Sequence, residues 1–148
     1  MYFIAVIVFI ILIGLVYLAT MGGSFLALLD LVSLIGILLP TVPMLAASGL
    51  VKDFFRSFSI AYQKNCTADK QEIIRSMTAV KLMSILFLFS GILSSVLGVI
   101  SMLHRLDDPA ALGPNVSVAL ISLLYGIILN ILLLPVKAKL EMLVQSFH

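Results

Sequence analysis

The sequence predicts an all-α integral membrane protein: four transmembrane helices, N and C termini cytoplasmic, and a short cytoplasmic helical hairpin extending between helices two and three. Three observations predict it. Of 148 residues, 62% are hydrophobic and only 11% charged, with mean hydropathy +1.25, whereas a soluble domain is nearer half apolar and a quarter charged. Four uncharged stretches, 2–20, 31–51, 82–103 and 116–136, each match the roughly 20 residues a helix needs to cross a ~30 Å hydrocarbon core. The basic residues, finally, are one-sided. Lys52, Arg56, Lys64, Lys70, Arg75 and Lys81 lie between the second and third stretches, Lys137 and Lys139 follow the fourth, and of the nine only Arg105 falls elsewhere. Lysines and arginines mark the cytoplasmic side, and Asp30, Asp107 and Asp108 mark the other.

The same numbers exclude several classes. A net charge of +2 without a basic block leaves no footprint for nucleic acid. A single cysteine, Cys66, rules out an intrachain disulfide and a CxxC metal knuckle. No span or loop offers a nucleophile–base pair or a metal-ligand cluster, so no enzyme chemistry and no cofactor are expected. The chain reads as one membrane domain over 1–148, since about thirty residues between the middle spans cannot form a second.

The first span, 2–20, is almost wholly aliphatic and aromatic, suited to a lipid-facing rim. It lacks the basic n-region and A-x-A site of a signal peptide and exceeds the usual apolar h-region. The second, 31–51, carries Ser33, Gly36, Pro40, Thr41, Pro43 and Ser48. Pro40 and Pro43 remove backbone donors and should kink the helix, with Thr41 or neighbours re-satisfying the freed carbonyls.

In the cytoplasmic segment 52–81, Phe55, Phe58 and Tyr62 share a helical face beside Lys52 and Arg56. An interfacial extension of helix two, with an aromatic belt at the headgroups, fits better than a partner-docking face. Asp69 followed three residues later by Glu72 resembles a capping box. It should open a helix running through Arg75 and Lys81 into the third span, with the hairpin tip near Asn65, Cys66 and Thr67.

The third span, 82–103, carries Gly91, Ser94, Ser95, Gly98 and Ser101 as one small-residue stripe. An outer loop with Asp107, Asp108 and Pro109 then leads through Gly113 and Pro114 to the fourth span, 116–136. That span aligns Ser122, Gly126 and Asn130 at i, i+4 and i+8, carries Ser117 near its outer end, and should break at Pro135. Two readings of the stripes stand side by side. Small residues let helices approach and serines hydrogen-bond across the contact; alternatively, the stripes line an ion path or surround a partner helix. No Asp, Glu, Lys, Arg or His lies inside any span. An ion-coupled machine normally has an intramembrane ionisable group, so if ions pass here a partner must supply the carboxylate.

The run LDDPAALGPNVSVALISLLYG with a following P-V-K-A-K-L resembles the last helix of the MotA/TolQ/ExbB proton channel family, and within it the MotA branch. In helix three, Gly91, Ser95, Val96, Leu97 and Gly98 sit along the family's P-x-x-G-x-x-G-T-V-x-G run, with Leu88 in place of its proline and Ser94 in place of its second glycine. The likeness is specific over about 91–140. It implies a ring-forming subunit, a pentamer around a dimer of a single-span MotB/ExbD-like partner, in the bacterial inner membrane. That partner's Asp carries the transported proton or sodium ion.

The resemblance places Ser95 where the family has a threonine or small residue facing that aspartate. It places Ser122 at a threonine of helix four: one when the alignment is anchored on Pro135, the neighbouring one when anchored on Tyr125-Gly126. Hydroxyls at both positions resemble sodium-type units. Ser94, Gly91, Gly98, Gly126 and Asn130 complete the implied ion-pathway and partner-facing set, and Pro40, Pro43 and Pro135 the kinks. Flagellar stators of the family carry a large cytoplasmic domain that pushes on the rotor, and 52–81 is far shorter. The ring and ion path are therefore implied; the torque output is not. A small helical membrane scaffold or assembly factor, whose serine stripes only pack, is the alternative from a different class.

Overall fold

The computed structural model describes residues 2–21, 30–62, 69–104 and 109–146, with side chains described for 6–15, 30–62, 69–104 and 112–146. All secondary structure among them is helical: α1 (Tyr2–Met21), α2 (Leu31–Ala47), α3 (Val51–Tyr62), α4 (Lys70–Leu103) and α5 (Pro109–Gln145). In hydrocarbon each backbone N–H and C=O must be paired within the protein, and a helix does this within one segment.

Among the described residues two helices, α4 and α5, are long and apolar enough to cross a membrane, and α2 with α3 makes a third candidate as a bent pair. α1 coincides with the predicted first span; within its described side chains, Val6–Leu15 is an apolar helix shorter than a span.

The second predicted span is corrected. The helix ends at Ala47, and α3 leaves at 98° instead of extending α2 outward. Gly49 makes the turn at φ +69, a left-handed conformation that costs glycine nothing. Its N–H donates to the Ala46 carbonyl (3.0 Å), and the Ser48 hydroxyl donates to the Leu45 carbonyl (2.7 Å). α2 itself runs through Pro40 and Pro43. The Thr41 hydroxyl donates to the carbonyls of Ile37 (3.0 Å) and Leu38 (3.1 Å). These are not the Gly36 and Leu39 carbonyls, which lose their i+4 donors to the prolines.

Asp69 caps α4 in extended conformation, its carbonyl accepting from Ile73 N–H (3.1 Å). The capping box is not completed: Asp69 makes no side-chain cap bond, and Glu72 pairs with Arg56 of α3 at 2.8 Å. The hairpin tip, 63–68 with Cys66, lies outside the described residues, as do Asp107 and Asp108. Pro109 is the first residue of α5, a position that needs no N–H. The expected break at Pro135 is also corrected, because α5 runs through Pro114 and Pro135 to Gln145.

α4 and α5 pack antiparallel, with α2 laid against both. Ile37, Leu45, Ile60, Ile73, Val80, Met83, Phe87, Leu133, Val136 and Leu140 form the core where the helices meet. The outward faces stay apolar, as with Phe89 (67% exposed), Leu39 (71%) and Leu120 (61%), the reverse of a soluble bundle's surface and what lipid or neighbouring helices require. Charges gather at one end, in Arg56–Glu72, Asp53–Arg75 (3.4 Å) and Lys81–Glu141 (3.2 Å).

Candidate functional site

The candidate site is the seam between α4 and α5 and the edge of α2 beside it. Its spacing is set by glycines. A Cβ placed on Gly91 would stand 3.0 Å from the Gly126 Cα and 3.2 Å from the Ser122 carbonyl oxygen. One on Gly126 would stand 2.8 Å from the Phe87 carbonyl oxygen, and one on Gly98 2.8 Å from the Ala119 Cβ. The stripes therefore bring the two helices to backbone contact within one chain. Toward the charged end, the Ser84 hydroxyl donates to Asn130 Oδ1 (2.7 Å). Ser94 faces α2, its Oγ 3.0 Å from where a Cβ on Gly36 would sit.

At the opposite end a chain of oxygens joins α2 to α5. Ser122, 2% exposed, donates from its hydroxyl to Ser33 Oγ (3.0 Å) and the Val118 carbonyl (2.9 Å). Ser33, equally buried, donates to Asp30 Oδ2 (2.5 Å) and lies 3.3 Å from the same Val118 carbonyl. Asp30 is the N-cap of α2. Its carboxylate accepts from Val32 N–H (3.2 Å) and Ser33 N–H (3.3 Å), and its own N–H donates to the Tyr125 hydroxyl (3.1 Å). A carboxylate there satisfies orphan donors and complements the positive end of the helix dipole.

The implied ion-pathway residues thus divide. Gly91, Gly98, Gly126, Asn130, Ser94 and Ser122 all make contacts inside the chain. Ser95 does not share this pattern: it is half-buried, and its hydroxyl has no hydrogen-bond partner among the described residues. It lies on a flank with Leu88, Ile92 and Val99, all exposed, at helical spacing on the edge of the seam. Sequence reasoning took Asp30 only as a marker of the outside, and missed Ser33, Ser84 and Tyr125 as members of the polar contacts. Ser84, Gly91 and Gly98 recur at sevens, as do Ala119, Gly126, Leu133 and Leu140. That period was the available signal for a long antiparallel pair.

Fold and seam together define a helical membrane protein built around a closely packed antiparallel pair. The sequence profile of the MotA/TolQ/ExbB proton channel family matches residues 47–148, and the chain belongs to that family. Motility protein A of Aquifex aeolicus is 49% identical over 57 residues, 38% of this chain and 22% of the relative. Chemotaxis protein PomA of Vibrio alginolyticus is 42% identical over 53 residues, covering 35% and 21%. Motility protein A of Treponema phagedenis is 47% identical over 51 residues, covering 34% and 20%. The match spans about a fifth of the length of these curated relatives.

Proposed function

We propose that this chain is the ring-forming subunit of an ion-driven motor or energy-transducing channel in the bacterial inner membrane. Five copies surround a dimer of a single-span MotB/ExbD-like protein, whose Asp carries a proton or a sodium ion. The chain acts as one domain, with α1, α2, α4 and α5 as four spans and both termini and the 52–81 segment cytoplasmic. Ser95 and its flank on α4 face the partner, and the glycine seam holds that flank in place. Ser122 acts from behind, through its tie to Ser33 and Asp30.

The observation that carries this reading is the family match over 47–148, which takes in α3, α4 and α5. The missing charge supports it: α4 from 82 to 103 and α5 from 112 to 136 contain no ionisable carboxylate or base. Asp30 is engaged by its cap bonds and Ser33. A carboxylate delivered by a partner helix is then the missing half of an ion path.

The test is co-expression with a single-span protein bearing an intramembrane Asp, followed by native mass spectrometry of the purified complex. A 5:2 assembly is expected. A stable monomer or dimer that ignores every such partner would turn the assignment toward a packing scaffold.

A further inference from the structure

α3 presents three faces, and one of them is packed inside the protein. Successive residues of a helix stand about 100° apart, which sorts its residues into three sectors, with Phe54 and Ala61 half-buried beside the first. Asp53, Ser57 and Ile60 are buried against α4 and α5. Lys52, Arg56 and Ser59 form an exposed polar flank. Between these lies an apolar stripe of Val51, Phe55 (67% exposed) and Tyr62 (64% exposed), with Phe58 at its edge. Large aromatics left open beside basic residues are the signature of a helix lying in the headgroup layer.

Its position agrees. α3 runs at 98° to α2, so if α2 crosses the bilayer, α3 lies close to the membrane plane. Its level is fixed by three contacts: Asp53 with Arg75, Arg56 with Glu72, and the Lys139 ammonium with the Ala61 carbonyl. The uncharged parts of α4 and α5 end at Lys81 and Lys137. Along a helix at 1.5 Å per residue, Lys139 stands about 3 Å beyond Lys137 and Arg75 about 9 Å beyond Lys81, from within to just past a headgroup zone of about 5–8 Å on one side of a bilayer. Lys139 therefore stands in that zone and Arg75 at its outer edge, while Glu72, about 14 Å beyond Lys81, is met by the long Arg56 side chain.

We propose that α3 is a membrane-surface helix whose Val51–Phe55–Tyr62 stripe enters the lipid interface and whose Lys52 and Arg56 flank binds anionic phospholipid headgroups. Charge complementarity selects that occupant. Lys52 has no partner among the described residues, and Arg56, bound to Glu72 by Nη1, keeps other N–H donors for a phosphate. The inference needs only that α2, α4 and α5 cross the bilayer; it is independent of ion conduction and of any partner protein.

The chain contains no tryptophan, so Phe55→Trp gives a single tryptophan, excited apart from the four tyrosines, at an exposed position. The 148-residue variant is reconstituted in phosphatidylcholine vesicles containing phosphatidylglycerol, with either lipid brominated at equal mole fraction. Bromines placed high on the acyl chains should quench more than bromines near their ends. Brominated phosphatidylglycerol should quench more than brominated phosphatidylcholine, and Lys52→Gln should reduce that preference by up to about five-fold, the weight of one surface basic residue. Equal quenching by both lipids would show that headgroup charge is not read. Blue-shifted emission untouched by any brominated lipid would place the stripe under another protein, and red, iodide-quenched emission would place it in water. Each of these overturns the proposal. Tyr62→Trp reads the same stripe should Phe55→Trp fail to fold.

Discussion

Gly91 and Gly126 meet backbone to backbone: a Cβ on the first would stand 3.0 Å from the Cα of the second, with the Ser122 carbonyl oxygen at 3.2 Å. Neither neighbour is a flexible side chain that could swing aside. The close approach is what lets Ser84 reach Asn130 and the Phe87 backbone lie against α5. In lipid, where burial of apolar area gives little reason for helices to associate, such packing is a principal attraction.

Gly126→Ala and Gly91→Ala should therefore destabilise the chain by about 1–3 kcal/mol, the usual cost of overpacking. Gly113→Ala is the control, since nothing lies within 4 Å of its added methyl and alanine is the better helix former by up to about 1 kcal/mol. Unfolding in detergent titrations should rank the wild type between the Gly113 variant and the two seam variants.

Ser33 and Ser122 should couple. Each single alanine variant loses the hydroxyl pair, and the double variant should cost less than the sum by about 0.6 kcal/mol, up to about 1.7, as for hydrogen bonds between membrane helices. Asp30→Ala should cost about 1 kcal/mol through loss of the cap. A double-mutant cycle that closes to zero would make the 3.0 Å contact energetically empty.

Ser95→Ala should leave stability within about 0.5 kcal/mol of wild type, because the hydroxyl makes no hydrogen bond among the described residues. In a complex reconstituted with an Asp-bearing partner, the same substitution should change ion-dependent activity or the preference between sodium and proton. Ser122→Ala should lower stability and, through Ser33, act on the same preference. If Ser95→Ala alters nothing in that complex, the partner-facing flank lies elsewhere.

Ser76 is fully buried and its Oγ has no hydrogen-bond partner among the described residues. A buried, unpaired hydroxyl costs free energy, so Ser76→Ala should be neutral or stabilise by up to about 1 kcal/mol, read as a shift in thermal unfolding. Loss of stability would reveal an ordered water bridging Ser76 to its surroundings.

Lys81 and Glu141 pair at 3.2 Å with both side chains 42% exposed. Lys81→Gln should cost less than about 1 kcal/mol, and the difference should shrink as salt is raised. Unfolding at low and high ionic strength measures it.

Much of this architecture was readable because lipid permits so few solutions. The uncharged runs and one-sided lysines located α4 and α5 and the charged end, and Asp69 and Leu103 bounded α4 correctly. The turn at Ser48–Leu50 was not readable from hydropathy. Gly49 and Leu50 extend an apolar run, and the sign of φ at a glycine has no hydropathic trace. Pro135 misled for a different reason. Its ring removes one backbone bond, a cost that packing by Val136 and Leu140, both buried, offsets within α5. The seam glycines were singled out as small-residue stripes, but one stripe alone does not say whether its neighbour is the same chain or another. Ser33 makes the point: its contact with Ser122 spans 89 residues, and no local pattern announces it.

The glycine seam has a mechanical consequence. With no side chain between them at Gly91 and Gly126, α4 and α5 cannot roll or slide past each other there without backbone collision. The pair moves as one stiff blade. A push on its flank is shared by both helices, and by α2 as well, which is tied to the same pair through Ser33 with Ser122 and Gly36 beside Ser94.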